Sequence, residues 1–227
     1  MKTIWIIMLL VMVLSYLIQN ILTRRFDKYS KVPTPDGMTG ADVARRMLAD
    51  HGITDVRVEH IAGQLTDHYN PQTKTLNLSD SVYGSRSIAA AAVAAHECGH
   101  AVQHATSYGP LRLRSSLVPV VSFASNWVQW VLLAGIVFIS IFPHLIWIGI
   151  GLFAMTTLFS FVTLPVEINA SSRAVAWLGK ENIVDAETRP MAVDALKWAA
   201  YTYVIAAIGS LATLFYYIAI ALGGNRR

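Results

Sequence analysis

Two histidines and a glutamate, His96, Glu97 and His100, form the pattern H-E-x-x-H, the one whose residue types and spacing most directly predict chemistry. They lie in a run that predicts a helix from about Ser87 to Ala105. At about 100° per residue, the two histidines stand one turn apart on one face, and Glu97 lies slightly to the side. Two imidazoles can hold zinc at about 2.0–2.1 Å while the carboxylate takes a proton from a water at an open coordination position. The motif therefore predicts a hydrolytic site with one zinc ion per chain.

A third metal ligand has to come from another part of the chain. His104 continues the histidine spacing, but eight residues of helix rise about 12 Å, so His96 and His104 cannot touch one ion. We expect His104 to support or pack beside the site. Two imidazoles and a carboxylate accept several divalent metals, so zinc is favoured by ligand type and availability and other metals stay open.

The composition is that of a membrane protein. The chain has 227 residues, of which 54% are hydrophobic and only 14% are charged. Its net charge of +4 is small, and no basic stripe interleaved with aromatic residues indicates nucleic-acid binding. We therefore expect a lipid bilayer, and not nucleic acid, as its surroundings.

Cys98 is the single cysteine, which excludes an intramolecular disulfide. It lies about 200° around the helix from His96. We expect a small buried side chain there, not a ligand or a nucleophile.

Four apolar segments predict membrane-spanning helices. The first, residues 1–23, is an uncleaved anchor, because its apolar run is too long for a signal peptide and no small-residue cleavage site follows. The others are expected at residues 118–142, 145–165 and 199–222, with a tight turn at Pro143 and His144.

The positive residues near these segments predict the orientation. Those expected on the cytoplasmic side are Arg24, Arg25, Lys28, Lys31, Arg112, Arg114, Arg173, Lys180, Arg189 and Lys197. Those left outside are Lys2, Arg226 and Arg227. This bias places the amino terminus outside and the H-E-x-x-H motif in the cytoplasm.

Residues 24–117 are polar enough to form a cytoplasmic α+β domain. A helix over residues 40–51 is predicted by the Thr39 cap and the following Gly52. Alternation predicts a strand at 56–61 and a hairpin of 65–69 with 74–78. The small sheet matters because an edge strand beside a zinc site can bind an extended peptide.

The helix that carries the H-E-x-x-H motif is not expected to span the membrane, because its apolar stretch is too short to cross it.

Glu167 is the expected third ligand. It follows the third span, which returns the chain to the cytoplasmic face, within a helical segment predicted at residues 166–198. Pro165 is expected to begin a fresh helix, whose dipole would favour an ionised carboxylate. A glutamate that merely marks the end of a span is the alternative.

Polar side chains recur at helical spacing on two of the predicted spans. They are Ser122, Asn126 and Gln129 on the second, and Thr156, Ser160 and Thr163 on the third. Such stripes are expected to face the bundle interior or a wet cavity, with helix packing and a substrate path both open.

Several stretches carry a resemblance to a known family. They are HECGHAVQH at residues 96–104, LTDHYNP at 65–71, PLRLRS at 110–115 and LPVEINASSRA at 164–174. Together they resemble the YugP-type neutral zinc metallopeptidases of bacteria, over nearly the whole chain. The resemblance implies a zinc-dependent endopeptidase embedded in the bacterial cytoplasmic membrane, multi-pass, with its active site facing the cytoplasm.

A more distant similarity is to the HtpX-type and CAAX-type membrane proteases, whose third ligand lies in the pattern E-x-x-A-D-R. Glu167 takes the ligand place and Ala170 the alanine, but Ser171 and Ser172 stand around the expected aspartate and Arg173 is one place late. Another group must then orient a ligand histidine. A serine hydroxyl such as that of Ser171, or a backbone carbonyl, is suited to this.

Three further residues are weaker candidates. Arg173 or Tyr108 can stabilise an oxyanion, although a structural role explains them equally well. His68 lies with Asp67 on the hairpin, where a polar surface role is favoured over catalysis.

The sequence thus predicts an α-helical membrane protein with about four transmembrane helices and a small α+β zincin-like cytoplasmic domain. His96, His100 and Glu167 would hold zinc, and Glu97 would act as general base and then proton donor. The expected substrates are peptides or membrane proteins, with an oligomer or other membrane proteins as further partners. The competing readings are a non-catalytic metal-binding membrane scaffold and a zinc hydrolase of a non-peptide amide or lipid.

Overall fold

The computed structural model describes residues 2–224, which are mostly helical and include a small sheet. The helices are α1 (Lys2–Tyr29), α2 (Gly40–Asp50), α3 (Ile88–Ala105), α4 (Gly109–Val137), α5 (Pro143–Lys180) and α6 (Arg189–Gly224). The strands are β1 (Arg57–His60), β2 (His68–Asn70) and β3 (Thr75–Leu78). Among the described residues, α1, α4, α5 and α6 are each long and apolar enough to cross a membrane, in line with the four predicted spans. Arg226 and Arg227, used above for the orientation, lie outside the described residues.

The chain divides into two compact units. The site unit comprises Ile18–Leu111 and Pro165–Tyr201. The apolar-helix unit comprises the described residues up to Leu17, Arg112–Leu164 and those from Thr202 onward.

Helices α2 and α3 form the core of the site unit. The Thr39 hydroxyl accepts from Asp42 N–H while the Asp42 carboxylate accepts from Thr39 N–H, a capping box that starts α2 at the predicted place. Val43 and Met47 are fully buried on one face of α2, as its periodicity predicts. Most of α3 is buried, and its many alanines let neighbouring elements come close because the side chains are small.

The sheet has the order β1-β3-β2, with β1 parallel to β3 and β2 antiparallel to it. The central strand β3 is buried along its whole length. The predicted hairpin is confirmed by the antiparallel register, in which His68 pairs with Asn77 and Asn70 with Thr75. β2 is consequently an edge strand, covered by β3 on one side.

Two expectations about helix ends were wrong. α5 runs without interruption from Pro143 to Lys180, so Pro165 does not begin a new helix and Glu167 lies in a helix interior. A proline removes one backbone donor, and a long apolar helix tolerates this loss when neighbouring elements hold it in place. The tight turn expected at Pro143 and His144 lies instead at residues 138–142, and Pro143 is the first residue of α5, where its fixed φ suits a helix start.

In the apolar-helix unit, α4 and α5 pack as a close hairpin. A Cβ added to Gly135 would lie 2.6 Å from Ile146 Cα, and one added to Gly149 would lie 2.8 Å from a Leu132 methyl carbon. Glycine at these two positions therefore allows the helices to touch through their backbones.

The two polar stripes of this unit differ from each other. Thr156 and Ser160 are partly buried and Thr163 is buried, as expected. Ser122, Asn126 and Gln129 are all exposed, so they do not face the interior of the packed helices, and the other expectation, a wet cavity, stays a prediction.

Candidate zinc site

The histidine pair of the motif lies on α3. The helix starts where predicted, because the Ser87 hydroxyl accepts from Ala90 N–H at 3.2 Å. The rings of His96 and His100 have centroids 4.8 Å apart and planes inclined at 85°. Their side chains are 14% and 12% exposed, so the pair is largely shielded from solvent while still reachable.

Glu167 of α5 brings the third donor atom to this pair. Its buried Oε2 lies 3.3 Å from His96 Nε2 and 3.5 Å from His100 Nε2. Ligands that sit about 2.0–2.1 Å from a tetrahedral zinc ion are about 3.3 Å from one another, so these separations fit one zinc ion. Two imidazoles and one carboxylate are also the kind and number of protein ligands used by hydrolytic zinc enzymes. The three residues form a candidate metal-binding triad.

The contact between α3 and α5 depends on Gly99, which lies between the two histidines. A Cβ at this position would lie 2.6 Å from Ala170 O and 3.0 Å from Ala170 Cα, closer than real Cβ contacts allow. Only a glycine therefore lets the backbones approach far enough for Glu167 to reach the histidines. The sequence offered a signal, a glycine inside an alanine-rich helix next to the motif, but its packing partner could not be named.

Each ligand histidine has a partner on its other ring nitrogen. His96 Nδ1 lies 3.0 Å from Ser171 Oγ, and His100 Nδ1 lies 3.1 Å from Gln103 Oε1. In the tautomer with the proton on Nδ1, each ring donates to that oxygen and leaves the Nε2 lone pair directed towards Glu167. Ser171 thus occupies the position expected of a serine that orients a ligand histidine.

Gln103 connects the histidine face of α3 to α5. Its side chain is fully buried, and its Nε2 donates to Val166 O at 2.8 Å and to Asn169 Oδ1 at 3.0 Å. Asn169 Oδ1 also accepts from Arg173 Nε at 2.8 Å. This one buried amide therefore forms hydrogen bonds with groups of both α3 and α5, and it aligns His100 with Glu167. Sequence reasoning missed Gln103, although its position three residues after His100 puts it on the same helix face.

Glu97 accepts a hydrogen bond from strand β2 of the sheet. Its Oε2 accepts from the backbone N–H of Tyr69 in β2 at 3.1 Å. Burial raises the pKa of Glu97 above its ordinary value, His96 and His100 counteract this in part, and the carboxylates of Glu167 and Asp67 reinforce it. The carboxylate is thus a stronger base than that of an exposed glutamate. A backbone donor leaves no trace in the residue pattern, so this contact had no sequence signal.

The pKa of His100 is also raised above its ordinary value. Burial lowers the pKa, but this effect is outweighed by the hydrogen bond that the protonated ring donates to the Glu167 carboxylate and by the charge of Glu97. The polar groups around His100 are therefore arranged to favour positive charge at this point, as a cation site requires.

The remaining candidates make contacts elsewhere in the site unit. His104 is exposed, and its Nδ1 lies 2.9 Å from the Tyr69 hydroxyl. His68 contacts Thr66 O through Nδ1 and the Asn77 amide through Nε2, which is a structural role in the hairpin. The structure does not place either of them in the metal-binding triad.

Tyr108 and Arg173 contact each other. The Arg173 guanidinium lies 5.8 Å from the centroid of the Tyr108 ring, while its Nε donates to Asn169. Arg173 thus supports Gln103 through Asn169, whose Oδ1 accepts hydrogen bonds from both side chains. A direct role of either residue at an oxyanion stays a prediction.

Cys98 is buried, as predicted. Its thiol lies 3.5 Å from Ala44 O on α2, and burial raises its pKa well above the ordinary value. A thiol of this kind stays protonated and packs as a small apolar group.

The comparisons with known proteins agree with this geometry. The model of a family described as "Putative neutral zinc metallopeptidase" matches residues 4–222. A curated relative, "Putative membrane protease YugP" of Bacillus subtilis (strain 168), is 44% identical over 212 residues, which cover 93% of this chain and 93% of the relative. No solved structure matches. The resemblance inferred from the motifs is therefore confirmed.

Proposed function

The chain belongs to this neutral zinc metallopeptidase family, and on that premise we propose that it is a zinc-dependent endopeptidase of the bacterial cytoplasmic membrane. The observation that carries the proposal is the separation of Glu167 Oε2 from the two histidine Nε2 atoms, 3.3 and 3.5 Å, which suits one zinc ion. A second carboxylate, Glu97, lies next to His96 and is held by a separate contact.

His96, His100 and Glu167 would hold one zinc ion through their Nε2 and Oε2 atoms. When bound, zinc supplies a Lewis acid that lowers the pKa of a water molecule and polarises a peptide carbonyl. Ser171 and Gln103 keep the two imidazoles in the tautomer and orientation that this binding needs. The chain thereby contributes a site whose ligands need little reorganisation.

Glu97 is the proposed general base. Tyr69 N–H engages one of its carboxylate oxygens, which leaves the other to accept a proton from the attacking water. Its raised pKa strengthens it as a base and makes its acid form a usable donor. Glu97 would then pass the proton to the leaving amine nitrogen when the peptide bond breaks.

Strand β2 supports a peptide as the substrate. It is the edge of the sheet and lies beside Glu97, because Tyr69 contacts that carboxylate through its backbone. A peptide in extended form can align with such an edge and bring one carbonyl to the site. This arrangement favours peptides or unfolded parts of membrane proteins over a lipid or a small amide.

We place the active site on the cytoplasmic side of a multi-pass protein. The four apolar helices support membrane insertion. The positive residues expected near their cytoplasmic ends, beginning with Arg24 and Arg25, support the orientation. In this placement residues 24–117 and 166–198 would form the zincin-like cytoplasmic domain.

The test compares zinc content and cleavage of unfolded casein in detergent for the wild type, Glu97→Gln and Glu167→Ala. We expect Glu97→Gln to keep about one zinc per chain and lose cleavage, because it keeps the ligands and removes the base. Glu167→Ala is expected to lose both. Glu59→Gln, at a partly exposed glutamate of β1, is the matched control and should retain both.

The outcomes separate the proposal from its rivals. Cleavage by Glu97→Gln at the wild-type rate would show that Glu97 is not the base. Wild-type zinc content in Glu167→Ala would show that Glu167 is not a ligand. A wild type that binds zinc but cleaves no peptide would indicate a metal-binding scaffold or a hydrolase of another amide or lipid.

A further inference from the structure

Helix α4 carries a stripe of exposed polar side chains. The α4 amide stripe consists of Ser122, Asn126 and Gln129, whose side chains are all exposed. At about 100° per residue they lie within about 60° of one another, so they form one narrow face. The sequence on either side of them is apolar, and α4 is apolar enough to span a membrane.

The hydrogen-bonding groups of this stripe are unsatisfied within the described chain. None of the three side chains has a hydrogen-bond partner among residues 2–224. On α5, by contrast, the hydroxyls of Thr156, Ser160 and Thr163 each donate to a carbonyl of their own helix. A hydroxyl can be satisfied in this way, whereas an amide has two donors and an acceptor and needs a partner outside its helix.

The stripe reaches the depth at which lipid offers nothing to bind. Asn126 and Gln129 lie about 12 and 16 Å along the helix from residue 118, where the predicted span begins, in a hydrocarbon layer about 30 Å thick. Amides at that depth are unfavourable unless another helix hydrogen-bonds them.

The stripe belongs to a seam with the spacing of a helix pair. Asn126 and Leu133 are seven residues apart, and so are Ser122 and Gln129, which gives two positions per seven residues along one exposed face. Leu133 is 55% exposed and continues the face beyond the amides. This spacing is that of two helices wound with a left-handed crossing, and a polar residue in such a seam sets its register.

The partner that fits this seam is a second copy of the chain. Two copies in one membrane have the same orientation, so their α4 helices can lie parallel about a two-fold axis. Asn126 of one copy then meets Asn126 of the other, and Gln129 meets Gln129. Each amide carries donors and an acceptor, so each can bond its own counterpart, which a residue of a single hydrogen-bonding type cannot do.

We propose that the protein forms a homodimer in the membrane through the α4 amide stripe. The inference rests on the proposed placement of α4 across the bilayer but not on zinc or on peptidase activity. It extends to residues that the catalytic site does not use.

The test is cysteine cross-linking of the full-length chain in membranes, in a Cys98→Ala background. Leu133→Cys reports on the seam while leaving both amides in place. Trp127→Cys is the matched control, since it is 53% exposed on the same helix but about 100° around from Asn126. We expect mild oxidation to give at least about tenfold more dimer with Leu133→Cys than with Trp127→Cys.

A second set of variants tests the amides themselves. Adding Asn126→Leu and Gln129→Leu to Leu133→Cys should lower the dimer yield about tenfold. Adding Val120→Leu and Phe123→Leu, two substitutions on other faces of α4, should leave it unchanged. Equal cross-linking at residues 127 and 133, or no effect of removing the amides, would overturn the dimer.

Two further outcomes identify which premise has failed. Reaction of Trp127→Cys with a membrane-impermeant maleimide in sealed vesicles would overturn the membrane placement, and the dimer with it, while leaving zinc binding and casein cleavage untouched. Cross-linking of Leu133→Cys to a different protein in place of itself would show that the seam serves another partner and would refute the self-association.

Discussion

Helices α3 and α4 each carry polar side chains at helical spacing, but only the polar face of α3 is in contact with other polar groups of the described chain. On α3, His96, His100 and Gln103 all contact groups of α5, at 2.8 to 3.5 Å. On α4, Asn126 and Gln129 are exposed and have no partner in the described chain. A polar face whose groups all have hydrogen-bond partners within the chain forms a rigid site. A polar face whose groups lack such partners is suited to binding another molecule.

The difference comes from one close helix contact. Gly99 allows α5 to approach α3 so closely that a Cβ would lie 2.6 Å from Ala170 O, and several polar groups can then meet across the contact. α4 has no equivalent contact on its stripe. If the polar face of α3 depends on this contact and on the partners it brings, substitutions at the contact should weaken zinc binding most, and those on the stripe of α4 least.

Gly99→Val should have the largest effect. The added side chain meets backbone atoms of Ala170, so α3 and α5 must separate, at a cost of about 3 kcal/mol or more and over a hundredfold in zinc affinity. Zinc titration followed by metal-dependent fluorescence or absorbance would measure it. Gly84→Val is the control, because a Cβ there meets nothing within 4 Å. Wild-type zinc affinity in Gly99→Val would mean that the close approach is not needed.

Gln103→Met should lower zinc affinity about 10- to 100-fold, since His100 loses its acceptor while the volume is kept. The lost donors to Val166 O and Asn169 should also reduce the free energy of unfolding by about 1–3 kcal/mol. Gln103→Glu restores an acceptor for His100 without the amide donor, so it should recover part of the zinc affinity but not the stability. Equal affinity in the wild type and Gln103→Met would contradict the orienting role.

Ser171→Ala should weaken zinc binding about tenfold through His96, which has one oriented partner there. Ser172→Ala is the matched control, because that serine is the exposed neighbour. Zinc affinity of the two variants, measured by competition with a chelating dye, should differ. If they are equal, some other group orients His96.

Tyr69→Pro should reduce kcat about fivefold relative to Tyr69→Ala, with zinc content equal in both. Both variants lose the tyrosine side chain, but the proline alone loses the backbone N–H that holds Glu97. Casein cleavage at saturating substrate measures the difference. Identical kcat values would show that the Tyr69 N–H does not position the base.

Asn126→Leu combined with Gln129→Leu should have the smallest effect on the zinc site. Both residues belong to the apolar-helix unit and neither is a zinc ligand, so zinc content should stay at the wild-type level while dimer cross-linking falls. A loss of zinc in this variant would mean that the two polar faces are coupled.

Much of the local structure followed from residue patterns. The cap at Thr39, the hairpin around Asn70 and the extent of α3 were predicted because each depends on neighbours within a few residues. The H-E-x-x-H spacing likewise places two imidazoles on one helix face before any fold is known.

Other features could not be predicted, because they depend on residues far apart in the chain. The Pro165 helix start was wrong, since whether a proline interrupts a helix depends on what packs around it. That Ser122, Asn126 and Gln129 do not face the interior of the packed helices could not be predicted for a related reason: periodicity shows that polar residues share a face but not what lies opposite.

By itself the sequence determined the ligand and base types, the four apolar segments and the capped helices and hairpin, because these are set by composition and by short-range spacing. Only the tertiary structure decided that Glu167 Oε2 lies within 3.5 Å of both histidines, that Gln103 joins α3 to α5, and that Tyr69 N–H holds Glu97. These contacts join residues 28 to 71 positions apart, as Tyr69 with Glu97 and His96 with Glu167 show. They arise when packed helices and a sheet edge bring such residues together, which no local pattern records.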